Sequence, residues 1–372
     1  MLVLVTGARA PVAIEWANAL IRLGHRVILT DSLKNPLGAY CRSIEHYIKT
    51  HSPRFNFTHY RRDILAIIDQ FNVDMVIPTC EEIYYLAQCA VLRPLVNWLL
   101  PSPDLLFGLH HKHQVFELIN DLPEVLLPVT RLIRNKSDVV INKETILKPV
   151  YSRFGSHVIR QVTRQRVDVL SISPERQWVQ QQKIQGESLC NYALFEHGEL
   201  RVHQAYLPKY CVNQSAASGF KPVTNHSIHR FMVAFGRKFH FHGQVSFDFM
   251  IENECIYVIE CNPRATSGLH LVAKQCESVF PHLVFSTLQT TQLHHLGVAM
   301  LFSQGVTSLG RGKTWQDYFR GQNVMRHLAH TFSFGAQFCS LFELFQIAKR
   351  YKIPLSDATT YDIEWNGHKN NE

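Results

Sequence analysis

The chain has 372 residues, 46% of them hydrophobic, and this length and composition predict a globular protein of two or three domains with a sizeable core. Its formal net charge of +8 suits a polyphosphate or acidic substrate. Because no Lys/Arg-dense block with interleaved aromatic residues is present, we expect no nucleic-acid partner. The nine cysteines are scattered and form no C-x-x-C pair, which argues against a disulfide framework or a zinc site and favours a reduced, intracellular protein.

The N-terminus and the most apolar window predict a cytoplasmic protein with no membrane partner. The chain opens with MLVLVTG, a strand-like run that lacks the basic lead of a signal peptide. The most apolar window, 91–109, carries Arg93, Asp104 and three prolines, so it does not resemble a membrane span. Secretion by a route that reads no classical signal is the alternative.

Residues 2–31 have the pattern of a β-α-β unit. A buried strand is predicted over 2–6, a helix over 11–23 and a second strand over 26–30, followed by Asp31. The segment TGARAPVA keeps Gly7 but lacks the other two glycines of the dinucleotide fingerprint. Two interpretations stay open. We favour a doubly wound scaffold without a phosphate site over the dinucleotide site of a nicotinamide-dependent oxidoreductase.

Two acidic residues follow the next predicted strand, 73–77. Glu81 and Glu82 lie just beyond its carboxyl end, where open parallel sheets bind their ligands. These residues either contact a substrate or place favourable negative charge at the N-terminus of the next helix. The sequence favours neither interpretation.

Prolines 101 and 103 mark the first domain boundary, and a helix that carries Lys112 is predicted over 106–120. The histidines at 110, 111 and 113 form a metal site or a helix surface. The helix surface is favoured because carboxylate or Cys partners at ligand spacing are lacking. Further along, the strand 146–150 carries Lys148 and leads into a loop over 151–157.

Residues 243–264, GQVSFDFMIENECIYVIECNPR, predict a β-hairpin in which apolar side chains alternate on one face of the first strand. A three-residue loop over 252–254 sets Asp248 opposite Val258 and Ser246 opposite Glu260. Asp248 and Glu260 are then diagonal neighbours about 7–8 Å apart at Cα. A two-residue loop would turn Asp248 to the other face.

The predicted hairpin gathers Asp248, Glu260 and Asn262 on one face. Two carboxylates and an amide oxygen suit Mg²⁺, which takes a few protein oxygens and completes its shell with water and phosphate. Carboxylates on a core-facing strand are also unfavourable unless they are paired or metal-bound. The alternative is a solvated hairpin face, but the Asn-Pro-Arg sequence at 262–264 makes us favour the metal site.

Residues 208–222 are predicted to form a polar loop whose Lys209, Ser215, Ser218 and Lys221 line an acceptor site or simply face solvent. After residue 275 the pattern turns helical, with apolar runs at 278–303 and 324–349. The final residues, 363–372, are polar and are predicted to fray. This region caps the preceding domain or forms a homo-oligomer interface.

Five features follow one another in the order seen in the ATP-grasp superfamily. They are Lys112, Lys148, the 151–157 loop, the 181–187 connector and the predicted metal hairpin at 243–264. The chain most resembles the branch of biotin carboxylase and carbamoyl-phosphate synthase. The resemblance covers about 106–275, and its specific part is the 12-residue step from Asp248 to Glu260 followed by E-x-N-x-R.

The resemblance implies an α/β protein, α+β in its core, with three parts. A pre-ATP-grasp Rossmann-like domain is expected at 1–105. A two-lobed ATP-grasp domain is expected at 106–275, with lobes at about 106–178 and 179–275. A helical C-terminal region is expected at 276–372.

The resemblance also assigns ATP contacts. Lys112 and Lys148 resemble lysines that hold phosphates, a task that suits an ammonium point charge. Arg153 and Ser156 contact phosphate through their side chains, since only Gly155 remains of a loop that is often glycine-rich in this branch. The inter-lobe hinge, which reads adenine through its backbone, corresponds to Gln181, Gln182, Lys183 and Ile184, with glutamines where the family usually has an acid. Glu187 is placed for a ribose hydroxyl.

Asp248, Glu260 and Asn262 are implied to hold one or two Mg²⁺ ions, with Mn²⁺ as the alternative. Arg264 is implied to be the catalytic residue that contacts the γ-phosphoryl group, and its alternative is an ion pair with a nearby acid.

The implied activity is ATP- and Mg²⁺-dependent ligation of a small-molecule carboxylate to an amine or another nucleophile through an acyl phosphate. No biotin-attachment or glutaminase segment is visible, so a complete carboxylase or carbamoyl-phosphate synthase is not expected. The alternative is a nucleotide-binding pseudoenzyme with a regulatory or interaction role, because the phosphate loop is poor in glycine.

Overall fold

The computed structural model describes residues 1–90, 94, 96–153, 157–212, 216–287, 291–297, 300–301, 310–328 and 334–367. Within these ranges the protein is of the mixed α/β class that the sequence predicts, with helices packed on several separate sheets. No helix of the described part is long and apolar enough to cross a membrane.

The N-terminal residues form a five-stranded parallel sheet in the order β3-β2-β1-β4-β5, as expected of a Rossmann-like unit. Its strands are β1 (Leu2–Thr6), β2 (Arg26–Asp31), β3 (His46–Lys49), β4 (Met75–Ile77) and β5 (Asn97–Trp98). Its helices are α1 (Pro11–Arg22), α2 (Phe57–Phe71) and α3 (Ile83–Ala90), with a 3-10 turn at Leu37–Tyr40.

Asp31, at the carboxyl end of β2, is paired with another residue of the protein. The guanidinium of Arg9 lies 2.6 Å from an Asp31 oxygen, and the Arg9 backbone N–H donates to the same carboxylate at 2.8 Å. Arg9 also pairs with Asp362 from the C-terminal segment. Both members of the Arg9–Asp31 pair are buried. This arrangement agrees with the scaffold interpretation of the β-α-β unit.

A three-stranded antiparallel sheet of order β6-β8-β7 follows. Its elements are α4 (Pro103–His110), α5 (Gln114–Leu118), β6 (Thr130–Ile133), β7 (Thr145–Pro149), α6 (Arg164–Asp168) and β8 (Trp178–Gln182), with a 3-10 turn at Lys136–Asp138. We call this unit the small lobe. The predicted lobe boundary at 178/179 falls inside β8, which pairs in this sheet through Gln182.

The large lobe is a seven-stranded sheet of order β13-β12-β9-β10-β11-β16-β17, whose last two strands, β16 (His294–His295) and β17 (Gln322–Asn323), come from the C-terminal region. Its first elements are β9 (Glu187–Glu196), β10 (Glu199–Val212), β11 (Ala216–Val223), α7 (His226–Phe239), β12 (Gly243–Glu252), β13 (Cys255–Asn262) and α8 (Leu269–Val272). Helix α7 buries Phe231 and Phe235 against Phe247 and Phe249 of β12. The apolar face of the hairpin therefore packs on α7, which leaves its other face for polar side chains.

The C-terminal region is less helical than predicted. It contains a 3-10 turn at Ala273–Gln275 and then β14 (Cys276–Ser278), β15 (Val284–Phe285), β16 (His294–His295), α9 (Gly312–Arg320), β17 (Gln322–Asn323), α10 (Val324–Leu328), α11 (Phe334–Tyr351) and α12 (Leu355–Ala358). The apolar run 278–303 was expected to be helical, but it contains two strands. β16 forms because the free edge of β11 pairs with it, at Gly219 and Phe220.

The prediction that residues 363–372 fray is wrong for their described part. Trp365 is 3% exposed and packs in the core cluster of the N-terminal sheet. Its ring centroid lies 4.6 Å from that of Phe107, 5.5 Å from Tyr84 and 5.1 Å from Tyr151. The carboxylate of its neighbour Glu364 is paired with Arg54, which is distant in the chain. Residues 368–372 lie outside the described part.

Candidate functional site

The hairpin of β12 and β13 reaches the predicted arrangement by a different register. Glu252 pairs with Cys255, so the loop has only two residues, Asn253 and Glu254, and both have positive φ as in the tight turns that suit hairpins. A β-bulge at Ile259 then shifts the register by one residue between Asp248 and Phe249. The bulge cancels the change of face that the short loop causes.

Asp248 and Glu260 are consequently direct cross-strand partners, and Ser246 faces Asn262. The amide nitrogen of Asn262 lies 3.4 Å from an Asp248 carboxylate oxygen. The prediction that residues 248, 260 and 262 share one face is correct. The diagonal placement of Asp248 and Glu260 is wrong, because alternation along the strand does not reveal the bulge.

The two carboxylates have opposite pKa shifts. Burial and the neighbouring Glu260 raise the pKa of Asp248 to about 7. Burial acts against ionisation of Glu260 as well, but the ammonium groups of Lys112 and Lys148 lower its pKa to about 2. The positive charge around Asp248 and Glu260 is therefore too small for both carboxyl groups to ionise together, and an additional cation would supply the missing charge.

Lys112 and Lys148 reach the hairpin from outside the large lobe. Lys112 Nζ lies 3.4 Å from a Glu260 oxygen and donates to the Ser152 carbonyl at 2.9 Å. Lys148, on β7, donates to the Ile259 carbonyl at 3.2 Å, and burial lowers its pKa to about 8. Because Ile259 is the bulged residue, its carbonyl lies outside the regular hydrogen-bond ladder of the hairpin and accepts a hydrogen bond from the Lys148 ammonium.

The helix predicted over 106–120 is interrupted at Lys112. It divides into α4 and α5, and Lys112 lies in the turn between them. The turn forms because the His111 ring accepts the backbone N–H of His113 and that of Gln114. The helix-surface interpretation fails for His110 and His111, which are buried, and the His110 ring stacks on Tyr84 at 4.2 Å.

Glu81 joins two of the predicted site residues. Its oxygens accept Nε of Arg153 at 2.7 Å and Nε of Arg264 at 2.8 Å. Burial opposes ionisation, but the two arginines hold the pKa of this carboxyl well below its usual range. Glu81 is therefore an ion-pair partner in this structure and its contact with a substrate stays a prediction, whereas the ion-pair alternative for Arg264 is observed. A second Arg264 nitrogen still points at the cluster, 3.5 Å from the Asn262 amide oxygen.

Arg153 is engaged by residues outside the hairpin. Besides Glu81 it donates to the Asn366 side chain at 2.9 Å and to the Trp365 carbonyl. Its phosphate contact stays a prediction, as does that of Ser156, which lies outside the described residues. The role of residues 365 and 366 in holding this loop was not foreseen. The only signal for it in the sequence was an aromatic residue within a polar tail.

The hinge residues lie where the small lobe meets the large lobe. Gln181 is buried and donates to Thr130 at 3.1 Å, while its Oε1 has no hydrogen-bond partner in the described structure. The backbone N–H of Lys183 donates to the Glu144 carbonyl, so in this conformation it does not face a base. Adenine readout by Gln181, Gln182, Lys183 and Ile184, and ribose contact by Glu187, stay predictions.

Gly186 explains how the 181–187 connector passes close to the hairpin of β12 and β13. A Cβ at this position would lie 1.9 Å from the Ile251 carbonyl oxygen, so only glycine allows the approach. The Gln185 N–H, one residue earlier, donates to a Glu252 side-chain oxygen at 2.5 Å. The connector is thereby fixed to the strand that carries Asp248.

The predicted 208–222 loop is mostly strand. β10 continues through Val212 and β11 begins at Ala216, and Ser215 lies outside the described residues. The hydroxyl of Ser218 is buried and donates to the Tyr210 carbonyl, so it does not line an acceptor site. For Lys209 and Lys221 the acceptor role stays a prediction.

The cluster fits a magnesium ion better than a zinc ion. Among the described residues no group of three or more His, Cys, Asp or Glu side chains is placed to hold a metal. Asp248, Glu260 and Asn262 offer only oxygen ligands, without the Cys sulfur or His nitrogen that zinc sites usually contain, and they suit a cation that takes its remaining oxygens from phosphates and water.

Residues 110–268 match a protein-family model described as an ATP-grasp domain. Three solved structures share the fold with this chain. They are L-amino acid ligase from Bacillus licheniformis (14% identity, 74% of this chain and 70% of that chain, TM-score 0.56), biotin carboxylase from Campylobacter jejuni in an ATP complex (12%, 73% and 68%, 0.60), and N5-carboxyaminoimidazole ribonucleotide synthetase from Thermotoga maritima (13%, 78% and 79%, 0.60). No curated protein matches the chain in sequence.

Proposed function

We propose that this chain, which carries an ATP-grasp domain at residues 110–268, is an ATP- and Mg²⁺-dependent ligase that joins a small carboxylate to an amine or another nucleophile. The observation that carries the proposal is the cluster between the lobes. Two lysines of the small-lobe region converge on a hairpin face that holds Asp248 and Glu260. Such a mixture of fixed cations and metal-binding oxygens suits a polyphosphate.

In the proposed reaction a carboxylate oxygen of the substrate attacks the γ-phosphorus of ATP. The bond from this phosphorus to the bridging oxygen breaks and ADP leaves. The nucleophile then attacks the acyl carbon of the acyl phosphate, loses its proton and expels phosphate. Lys112 and Lys148 would hold phosphate charge, and Arg264 would contact the transferred phosphoryl group. Mg²⁺ held by Asp248, Glu260 and Asn262, or Mn²⁺ in its place, would neutralise further phosphate charge.

A cavity of about 960 Å³ borders Ser152 and Arg153, just beyond the strand that carries Lys148, and offers room for a small-molecule substrate. Its lining includes Arg54 and Arg153, which are paired with Glu364 and Glu81, together with Arg176 and the acidic residues Glu175, Asp357 and Glu364. Guanidinium groups recognise carboxylates well. We propose this cavity for the acid or its acceptor.

All nine cysteines are free thiols, and we place the activity in the cytoplasm.

One observation favours a second candidate, a nucleotide-binding pseudoenzyme. Arg153, the cation expected to compensate for the sparse glycines of the phosphate loop, is engaged by Glu81 and the C-terminal segment. Arg153 does not reach a phosphate group unless these contacts break.

Release of ADP, measured over a panel of carboxylic acids paired with amines, tests the proposed ligase. We expect at least one pair to raise ADP release above the rate with ATP and Mg²⁺ alone, with a product whose mass is the sum of the pair less one water. Binding of ATP without turnover on any pair would support the pseudoenzyme instead.

A further inference from the structure

The last six described residues, 362–367, form a segment that we call the C-terminal strap. Its Asp362 and Glu364 carboxylates pair with two arginines of the N-terminal unit, each at 2.5 Å. The Trp365 ring is buried in the core of that unit. The strap is therefore fixed to the N-terminal unit up to residue 365, and its tip, residues 366 and 367, contacts the phosphate loop.

The strap occupies the guanidinium group of Arg153. Nη1 of Arg153 donates to the Asn366 side-chain oxygen at 2.9 Å, and Nη2 donates to the Trp365 carbonyl. Nε donates to Glu81 at 2.7 Å, and the side chain is only 7% exposed. Each of the three guanidinium nitrogens thus has a protein oxygen as its partner. A phosphate that binds Nη1 and Nη2 has to displace the strap from them.

Glu81 holds Arg153 beside the inter-lobe cluster. One Glu81 oxygen accepts Nε of Arg153, and the other accepts Nε of Arg264 at 2.8 Å. A second Arg264 nitrogen lies 3.5 Å from the side-chain oxygen of Asn262, a proposed magnesium ligand. Because the two guanidinium groups share one carboxylate, Arg153 is connected to the cluster while the strap occupies its Nη groups.

We propose that the C-terminal strap is an autoinhibitory element that withholds Arg153 from the phosphates of ATP until the tip of the strap moves. This inference rests on the proposed function, because it requires that the inter-lobe cluster binds ATP. It accounts for the engaged state of Arg153 without loss of activity. Displacement of the tip supplies the protein with one more phosphate-binding cation.

The strap offers Nη1 and Nη2 weaker acceptors than a phosphate does. Asn366 and the Trp365 peptide contribute neutral oxygens. The Glu364 carboxylate lies 3.5 Å from Nη1 but is already paired with Arg54. Charge-assisted bonds from arginine to phosphate are roughly twice as strong as neutral ones and are often bidentate. Because the Trp365 ring anchors the strap, only the backbone beyond it has to move, and the pair with Glu81 stays in place.

Asn366→Ala tests the proposal by removing one of the two hydrogen bonds from Arg153 to the strap. In calorimetric titration with ATP and Mg²⁺ we expect the variant to bind ATP about tenfold more tightly than the wild type. Adding Arg153→Ala should cancel this gain, so that the double variant binds ATP like Arg153→Ala alone. A gain that persists without Arg153, or no gain at all, overturns the proposal.

Gly367→Ala provides a second test that does not involve ATP. A Cβ at Gly367 would lie 2.4 Å from Cε2 of Tyr151 in the phosphate loop, so this variant pushes the tip away. Gly24→Ala is the matched control, because Gly24 has a φ of +81 against +89 at Gly367, and a Cβ there meets no atom within 4 Å. Both variants therefore share the backbone strain of a positive φ.

Cleavage by trypsin after Arg153 measures whether the strap is released, since the protease must take up the arginine side chain. We expect Gly367→Ala to be cut at this bond at least about five times faster than the wild type, with Gly24→Ala unchanged. Mass spectrometry of the fragments identifies the bond, and thermal unfolding confirms that each variant is folded. Equal cleavage of the two glycine variants would show that the strap does not hold Arg153.

Failure of the proposed function gives a different result from failure of the strap. If neither the wild type nor Asn366→Ala binds ATP, the cluster is not an ATP site and the autoinhibitory role is rejected with it. If both bind ATP with the same affinity, the ATP site stands and only the strap proposal is rejected.

Discussion

Replacing Glu260 by Gln is expected to reduce ATP turnover by about 10²- to 10³-fold while leaving the fold intact. Glu260 faces Asp248 across the hairpin and lies 3.4 Å from Lys112. The amide keeps the size of the side chain but removes one of the two carboxylate charges available to Mg²⁺. ADP release by the purified variant, with the substrate pair that activates the wild type, measures the effect.

The matched control for this substitution is Glu254→Gln. Glu254 lies in the turn of the same hairpin and is exposed, so the same chemical change occurs outside the cluster. We expect wild-type turnover from it. Turnover by Glu260→Gln at the rate of Glu254→Gln would refute the metal assignment.

Replacing Trp365 by Ala is expected to lower the free energy of unfolding by about 3–5 kcal/mol, as for other buried tryptophans. The ring is 3% exposed and packs among Tyr84, Phe107 and Tyr151. Its loss leaves a cavity that the rigid neighbours fill only in part. Urea unfolding of wild type and variant measures the difference.

Trp315→Ala provides the comparison for Trp365→Ala. Trp315 lies on α9 and is 37% exposed, so its removal should reduce the free energy of unfolding by less than about 1–2 kcal/mol. If both variants lose equally little stability, Trp365 does not anchor the C-terminal segment in solution.

That Asp248, Glu260 and Asn262 share one face of the hairpin could be predicted from the sequence, but the register of the hairpin could not. Alternation of Val245, Phe247 and Phe249 identified the buried face, and the acids on the other face followed. The bulge at Ile259 leaves no trace in this alternation, because one extra residue within a strand looks the same as a longer loop.

Contacts between distant segments were the main features that sequence reasoning missed. Residues 363–372 were predicted to fray, yet Glu364 pairs with Arg54 and the preceding Asp362 pairs with Arg9, both more than 300 positions away in the chain. Glu81 is likewise paired with residues that are distant in the chain, Arg153 of the phosphate loop and Arg264 at the end of the hairpin. Local periodicity carries no information about such pairs.

The central claim is that the inter-lobe cluster holds ATP together with a divalent cation, and calorimetric titration with ATP tests it most directly. With Mg²⁺ present the wild type should bind ATP at one site, and removal of Mg²⁺ or the Glu260→Gln substitution should weaken binding by at least about tenfold. Absence of binding, or binding that changes with neither the cation nor the substitution, would contradict the account.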